Sequence, residues 1–141
     1  MSQILHNGTC FVCSSPGTGR IDATFTWDAP AAVLRCEALL GSACQGPPGF
    51  AHGGALFALL DEAMGGACWM SGLRVLSAHV GIDYRRPVPL GSTVILAAQV
   101  VKIDGRKVYT TATLHVDGVL ATEADGLFVA SERHNWDVLP H

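Results

Sequence analysis

Asp61 and Glu62 stand side by side inside an otherwise uncharged run from Ala55 to Met70. A carboxylate in such surroundings must be paired, must face a cleft, or must titrate abnormally. Neighbouring positions on a helix point about 100° apart, so the two carboxylates are expected to meet different surroundings. His52-Gly53-Gly54 stands where the apolar run begins. Glycines at a helix start leave backbone N–H groups unpaired and open to close approach, and the helix dipole adds partial positive charge there. That combination suits an oxygen that gains negative charge during a reaction. Each feature also has a purely structural reading. The glycine pair can be a tight entry turn, and either carboxylate can be half of a salt bridge to an arginine.

Spacing sharpens the choice. Gly53 and Asp61 are separated by eight positions, about 12 Å along a helix. An oxyanion donor must come within about 3 Å of the reacting oxygen, and a nucleophile or base must reach the same centre. One helix cannot bring both ends to one carbonyl. If both groups act, the helix start comes from one subunit and the carboxylate from its symmetry mate. A two-fold dimer with two equivalent shared sites follows.

The strings GPPGFAHGG (46–54), LLDEAMG (59–65) and SAHVGIDYRRPVPLG (77–91), with the opening CFVC (10–13), resemble the hotdog-fold thioesterases of the PaaI and THEM4-like group. The resemblance spans about residues 10–130. It implies a hotdog fold, with an antiparallel sheet wrapped round one long central helix. It implies hydrolysis of acyl-CoA, or a related acyl thioester, to free acid and thiol. No metal and no cofactor is implied beyond the coenzyme A of the substrate itself. By the same resemblance Gly53 N–H polarises the thioester carbonyl, Asp61 is the catalytic carboxylate and His52 is the motif histidine. Ser77 is the hydroxyl residue that positions water or the carboxylate. Gly54 shares the substrate-binding helix start, and Gln45 takes the place of an amide side chain that some relatives set against the carbonyl.

The residue types fit this chemistry. Asp61 either attacks the carbonyl carbon or activates a water that does so, and the sequence leaves both routes open. Leu and Ala neighbours would make its carboxylate more basic by desolvation. His52 either orients the loop or the thioester, or is a satisfied structural histidine. Arg85 and Arg86, ahead of Pro87, either hold the phosphates of coenzyme A by charge-assisted bonds or end a solvated strand. Cys10 and Cys13 have zinc-knuckle spacing, but no second Cys pair or His pair follows, so no metal is expected. Cys68 reads as core, and His79 and His115 as packed or surface histidines. Trp69 and Phe57 read as core or as lining of an acyl tunnel. Two rival functions stand beside hydrolysis. One is a hotdog hydratase or dehydratase, which wants a histidine base paired with an acid. The other is a non-catalytic acyl-CoA sensor.

These residues need a scaffold, and 141 residues suffice for one domain. Hydrophobic residues make up 49% and charged ones 15%, the reverse of a disordered chain. A net charge of -3 argues against nucleic acid as the main partner. So little charge on a short chain implies apolar surface for further copies, in a homodimer or a dimer of dimers. The longest apolar stretch is broken by Asp61 and Glu62, so no membrane span is expected. The N-terminus lacks the basic and apolar regions of a signal peptide. Five cysteines, an odd number, suit reduced thiols in the cytoplasm.

Residues 1–20, which carry Gly8, Pro16, Gly17 and Gly19, read as an N-terminal loop with the Cys pair. Strands are predicted at Ile21–Trp27 and Val33–Leu40, with a turn-rich stretch from Gly41 to Gly49. Gly53–Met70, apolar nearly all round, predicts a buried helix. Its Gly65 and Gly66, poor helix formers, imply close packing against a neighbour. Further strands follow at Val75–Tyr84, Thr93–Ile103, Lys107–Val116 and Val119–Ala130. Asp104-Gly105 and Asp117-Gly118 join the last three into an antiparallel meander. The expected architecture is α+β, with five or six antiparallel strands and one long helix in a single domain over residues 21–130. Residues 131–141 read as a loosely held tail.

Overall fold

A computed structural model describes residues 2–3, 10–12 and 21–131. Cys13 and residues 132–141 lie outside the described residues, and so do the expectations that concern them.

Alternation of apolar and polar residues builds the sheet. In β2 (Asp22–Asp28) and β3 (Val33–Leu39), Ala23, Phe25, Leu34, Cys36 and Ala38 are buried, and neighbours such as Thr24, Arg35 and Glu37 are exposed. Period two is the pattern of strands with one face on the core. One helix follows, α1 (Gly53–Met70), and then β4 (Val75–Tyr84), β5 (Thr93–Asp104), β6 (Lys107–Val116) and β7 (Val119–Ala130). In the β6–β7 turn Asp117 and Gly118 have φ of 50° and 77°, the doubly left-handed pair of a type I′ hairpin. In the β5–β6 turn Gly105 alone is left-handed, at 59°.

With β1 at Ser2–Gln3, the sheet runs in the order β1-β2-β3-β5-β6-β7-β4 and is antiparallel throughout. Six strands have seven or more residues, within the expected range. The additional one, β1 (Ser2–Gln3), pairs with Trp27 and Thr26 inside a stretch read as loop. An edge strand offers unpaired N–H and C=O groups to any extended segment, and two residues carry no periodicity for a sequence reading to detect. Helix α1 packs against β2 through β7. This is the hotdog arrangement.

Leu56, Leu59, Leu60, Ala63, Met64, Ala67 and Cys68 are the buried face of α1. Phe57, Ala58, Asp61 and Glu62 are only half-buried, and Trp69 is 45% exposed. The expectations of a helix covered nearly all round, and of Trp69 as core, are corrected by this exposure. One sheet shields only the helix face turned toward it. Trp69 instead lies under the Arg74 guanidinium, 5.0 Å from its ring centre.

Close approach of helix and sheet explains two glycines. A Cβ on Gly66 would lie 2.5 Å from Leu34 Cδ2, as its place in a packed helix implied, whereas one on Gly65 would make an ordinary contact. On β7, a Cβ at Gly126 would lie 2.8 Å from Phe128 Cε1, 2.9 Å from Thr110 Oγ1 and 3.2 Å from Met64 Sδ. Gly126→Ala is therefore expected to cost about 1–3 kcal/mol by overpacking, read as a lower urea midpoint. An unchanged midpoint would show that β7 and α1 can part at no cost.

Among the described residues, β4 is the other edge of the sheet and is paired only to β7. Its first half, Leu76 to His79, is exposed along its whole length, and a bulge interrupts the ladder between Ser77 and His79.

Candidate active site

The entry to α1 is set by a loop that folds back on itself. Gly46 N–H donates to Phe50 O at 2.9 Å, His52 N–H to Cys44 O at 2.7 Å and Ala51 N–H to Val88 O at 2.8 Å. Gly49 takes φ +86° at the turn, a conformation glycine adopts without strain. A Cβ on Gly46 would stand 2.8 Å from His52 Cα, so only glycine lets the loop lie against that backbone. Gln45 is exposed, and its Oε1 accepts the Gly49 N–H at 3.2 Å. The amide oxygen thus braces the loop.

His52 is the N-cap of α1. Its backbone is extended, and its Nδ1 accepts the Gly54 N–H at 2.8 Å. An accepting Nδ1 means a neutral ring with its hydrogen on Nε2 in this arrangement. Gly54, expected to offer an amide to the substrate, has already committed it to His52. Ala55 and Leu56 N–H both bond to His52 O. Gly53 N–H finds no hydrogen-bond partner among the described residues. One donor is therefore left open at the positive end of the helix.

Tyr84 completes this end. Its hydroxyl donates to Gly53 O at 2.8 Å, and its ring carbon would lie 3.3 Å from a Cβ on Gly53. Sequence reasoning missed it. A tyrosine at a strand end carries no local sign of a contact with a residue 31 positions away.

Asp61 lies half-buried further along α1. Its Oδ1 is shut off from solvent and has no hydrogen-bond partner among the described residues. Burial raises its carboxyl above the usual range, the neighbouring Glu62 charge adds to this, and a hydrogen bond from the Ser77 side chain pulls the other way. Ser77 stands at the β4 bulge, a device that re-aims a side chain without breaking the strand. Glu62 points elsewhere. Its Oε1 accepts the Cys10 thiol at 3.4 Å. Burial first, then Glu37 and Glu62, pushes the Cys36 thiol up to about 12. The two carboxylates diverge as adjacent helix positions must.

The chain thus brings Asp61 to Ser77, and Gly53 to His52, Gly54 and Tyr84. It holds the two groups apart. Ser77 and Tyr84 are seven positions apart on β4, roughly 20 Å at strand rise. Beside the helix start, a cavity of about 290 Å³ opens between Phe11, Ile21, Ala43, Cys44, His52 and Ala55.

The remaining candidates lie outside both groups. Arg85 pairs with Glu123 at 2.8 Å and Asp83 at 3.6 Å on the surface, and Arg86 is exposed beside it. His79 is exposed and His115 half-buried. Cys68 is fully buried, and burial pushes its thiol up to about 11. Among the described residues no cluster of His, Cys, Asp and Glu could hold a metal ion, and no helix is long and apolar enough to cross a membrane.

Comparison with known proteins adds a relationship. The family model described as the thioesterase superfamily matches residues 48–121. An acyl-coenzyme A thioesterase THEM4 of Xenopus laevis is 44% identical over 92 residues, covering 63% of this chain and 41% of that protein. The chain therefore spans less than half the length of that relative. A solved thioesterase superfamily protein is 30% identical, with a TM-score of 0.72 over 79% of this chain and 54% of its own. A Streptococcus mutans protein solved bound to acetyl CoA shares the fold, with a TM-score of 0.72 at 17% identity over 83% of this chain and 93% of its own.

Proposed function

As the chain belongs to the thioesterase superfamily, we propose that it hydrolyses acyl-CoA, or a related acyl thioester, to free acid and thiol. The observation that carries this reading is the buried Oδ1 of Asp61, which has no hydrogen-bond partner among the described residues. Leaving such an oxygen unmatched costs about 1–3 kcal/mol. A site that keeps it reserves it for a partner outside the single chain, which here is a substrate or its attacking water. The open Gly53 amide is the complementary half, a donor waiting for the oxygen on which charge develops.

In the reaction, the Gly53 N–H receives the thioester oxygen as the carbonyl carbon becomes tetrahedral. Asp61 either bonds to that carbon itself or takes a proton from the water that does. Collapse of the tetrahedral centre breaks the C–S bond. Where Asp61 has taken the proton from water, it passes that proton to the departing thiolate, leaving free acid and thiol. Where Asp61 has bonded to the carbon, collapse leaves an acyl–Asp61 anhydride. A water that adds to it releases the acid, restores the carboxylate and supplies the proton that the thiolate takes up. His52 holds the loop and Gly54 in place, Ser77 holds the Asp61 carboxylate, and Tyr84 holds the backbone of Gly53. The hydratase alternative needs a free histidine base, and the capping role of His52 Nδ1 argues against it.

The site is complete only in a homodimer. Among the described residues β4 has an unpaired edge, along which both halves of the site lie, Asp61 beside Ser77 and Gly53 beside Tyr84. An antiparallel pairing of β4 with its copy, about a two-fold axis near Val80 and Gly81, would set Ser77 of one subunit opposite Tyr84 of the other. Asp61 would then face the Gly53 of its twin, giving two equivalent sites. Two such dimers can associate further. Free thiols at Cys36, Cys44 and Cys68 suit a reducing, cytoplasmic setting.

Thiol release from a panel of acyl-CoAs tests the activity, and light scattering tests the dimer. Absence of release with every acyl group, or a particle of about 15 kDa, would defeat the respective reading. The pH profile is a sharper check. Asp61 must be ionised to act, so kcat/KM falls as pH drops through its raised pKa. Ser77→Ala removes the bond that lowers this pKa, and Glu62→Gln removes a charge that raises it. The acid limb is expected to move to higher pH in the first variant and to lower pH in the second. Shifts in the same direction would mean that another group sets the limb.

A further inference from the structure

We propose that the cavity beside the helix start is the acyl site, that it selects neutral acyl groups of medium length or a single aromatic ring, and that Phe11 is its specificity-determining residue. The inference rests on the thioester reading above and extends it to the acyl group.

Position comes first. The cavity is walled by His52, Gly54 and Ala55, the residues that flank the open Gly53 amide. A carbonyl oxygen on that amide would direct one of its two substituents into the cavity. The chemistry of the wall follows. Phe11, Ile21, Ala43, Cys44 and Ala55 are apolar, Gln45 and His52 are polar, and no Asp, Glu, Lys or Arg lines it among the described residues. A carboxylate buried there would lose its hydration with no Lys or Arg side chain in return, only the Gln45 amide and the His52 ring. The nucleotide of coenzyme A, with its phosphates, belongs outside. Size is the third point. A volume of about 290 Å³ holds on the order of ten water-sized groups, which suits six to ten carbons and is mostly wasted on acetyl.

Phe11 is held in place by its neighbours. Cys10 is anchored by its thiol to Glu62 Oε1, Val12 N–H donates to Cys10 Sγ at 3.4 Å, and Val12 is buried in the core. Between these two anchors the Phe11 ring is 70% exposed at the cavity wall. A large apolar ring held out in water beside a hollow that is only partly apolar gains by covering an apolar ligand. Cys10 is thereby a positioning residue, and it ties the acyl site to the carboxylate next to Asp61.

Calorimetric binding of non-hydrolysable thioethers tests this independently of turnover. S-octyl-CoA is expected to bind wild type at least about tenfold more tightly than S-ethyl-CoA or an octyl analogue ending in a carboxylate. Phe11→Ala removes the wall and Ala43→Trp, at an exposed position, fills the hollow. Each should erase most of the octyl preference and leave S-ethyl-CoA within about twofold. No octyl preference in wild type, equal binding of the carboxylate analogue, or full preference in both variants would overturn the proposal. Octyl preference without thiol release from any acyl-CoA would uphold the acyl site and defeat the hydrolase reading. Thiol release without octyl preference would do the reverse.

Discussion

Asp61→Asn is expected to lower thiol release by about a thousandfold or more while raising the melting temperature. The rate loss follows from either role of the carboxylate, since an amide can neither attack nor accept the proton; removing such a group typically costs 10²–10⁴-fold or more. The gain in stability follows from the raised pKa. Burial and Glu62 both disfavour the ionised form, so at neutral pH the folded state carries a charge that it would hold more easily unfolded. A carboxyl raised in this way binds its proton more tightly when folded. Its penalty is absent below the ordinary value of 3.8 and is established as pH rises through the folded value. Asn removes it. Half-exposure weakens the effect, so a rise of roughly 1–3 °C is expected at pH 7, shrinking toward zero in acid. A loss of stability at pH 7 would mean that Asp61 sits in a favourable pairing, and full activity would remove it from the chemistry.

Gly53→Pro is expected to cost about 10²–10³-fold in kcat with the helix intact. Proline deletes one N–H and is favoured at the first helical position. His52, with φ -65° and ψ 136°, already has the extended backbone that a residue before proline needs. The ring of Tyr84, 3.3 Å from the Cβ position, must give by a few tenths of an ångström. The loss is that of one preorganised oxyanion donor. Mixing this chain with Asp61→Asn chains then separates two geometries. If each site takes Gly53 from one subunit and Asp61 from the other, a heterodimer carries one site with both lesions and one with neither. Random pairing of equal amounts makes about half the dimers mixed, so about a quarter of the wild-type rate returns. If both groups serve one site in one chain, every site is broken and the mixture stays as inactive as its parts.

Most elements could be read locally. Strand alternation and the Asp-Gly turns set the meander, because side-chain period and left-handed φ are properties of a few adjacent residues. The carboxylates of Asp61 and Glu62 were expected to diverge, and they do, toward Ser77 and Cys10. Other features were not legible. Ser2–Gln3 pairs at an edge without a pattern of its own. Trp69 reads as core by residue type, yet its exposure depends on which helix face the sheet covers. The division of labour between Gly53 and Gly54 turned on one ring nitrogen, since His52 Nδ1 takes the second amide and leaves the first.

By itself the sequence determined what is periodic and chemical: an apolar helix bearing two carboxylates, a glycine pair at its start, strands that must cover it, and a separation of eight positions too long for one carbonyl. Tertiary structure decided which donor stays open, that Tyr84 stands beside Gly53 and Ser77 beside Asp61, and that Phe11 walls a cavity next to the helix start. These are meetings between residues distant along the chain. Their distances are set by how sheet and helix pack together, and no window of neighbouring residues contains that information.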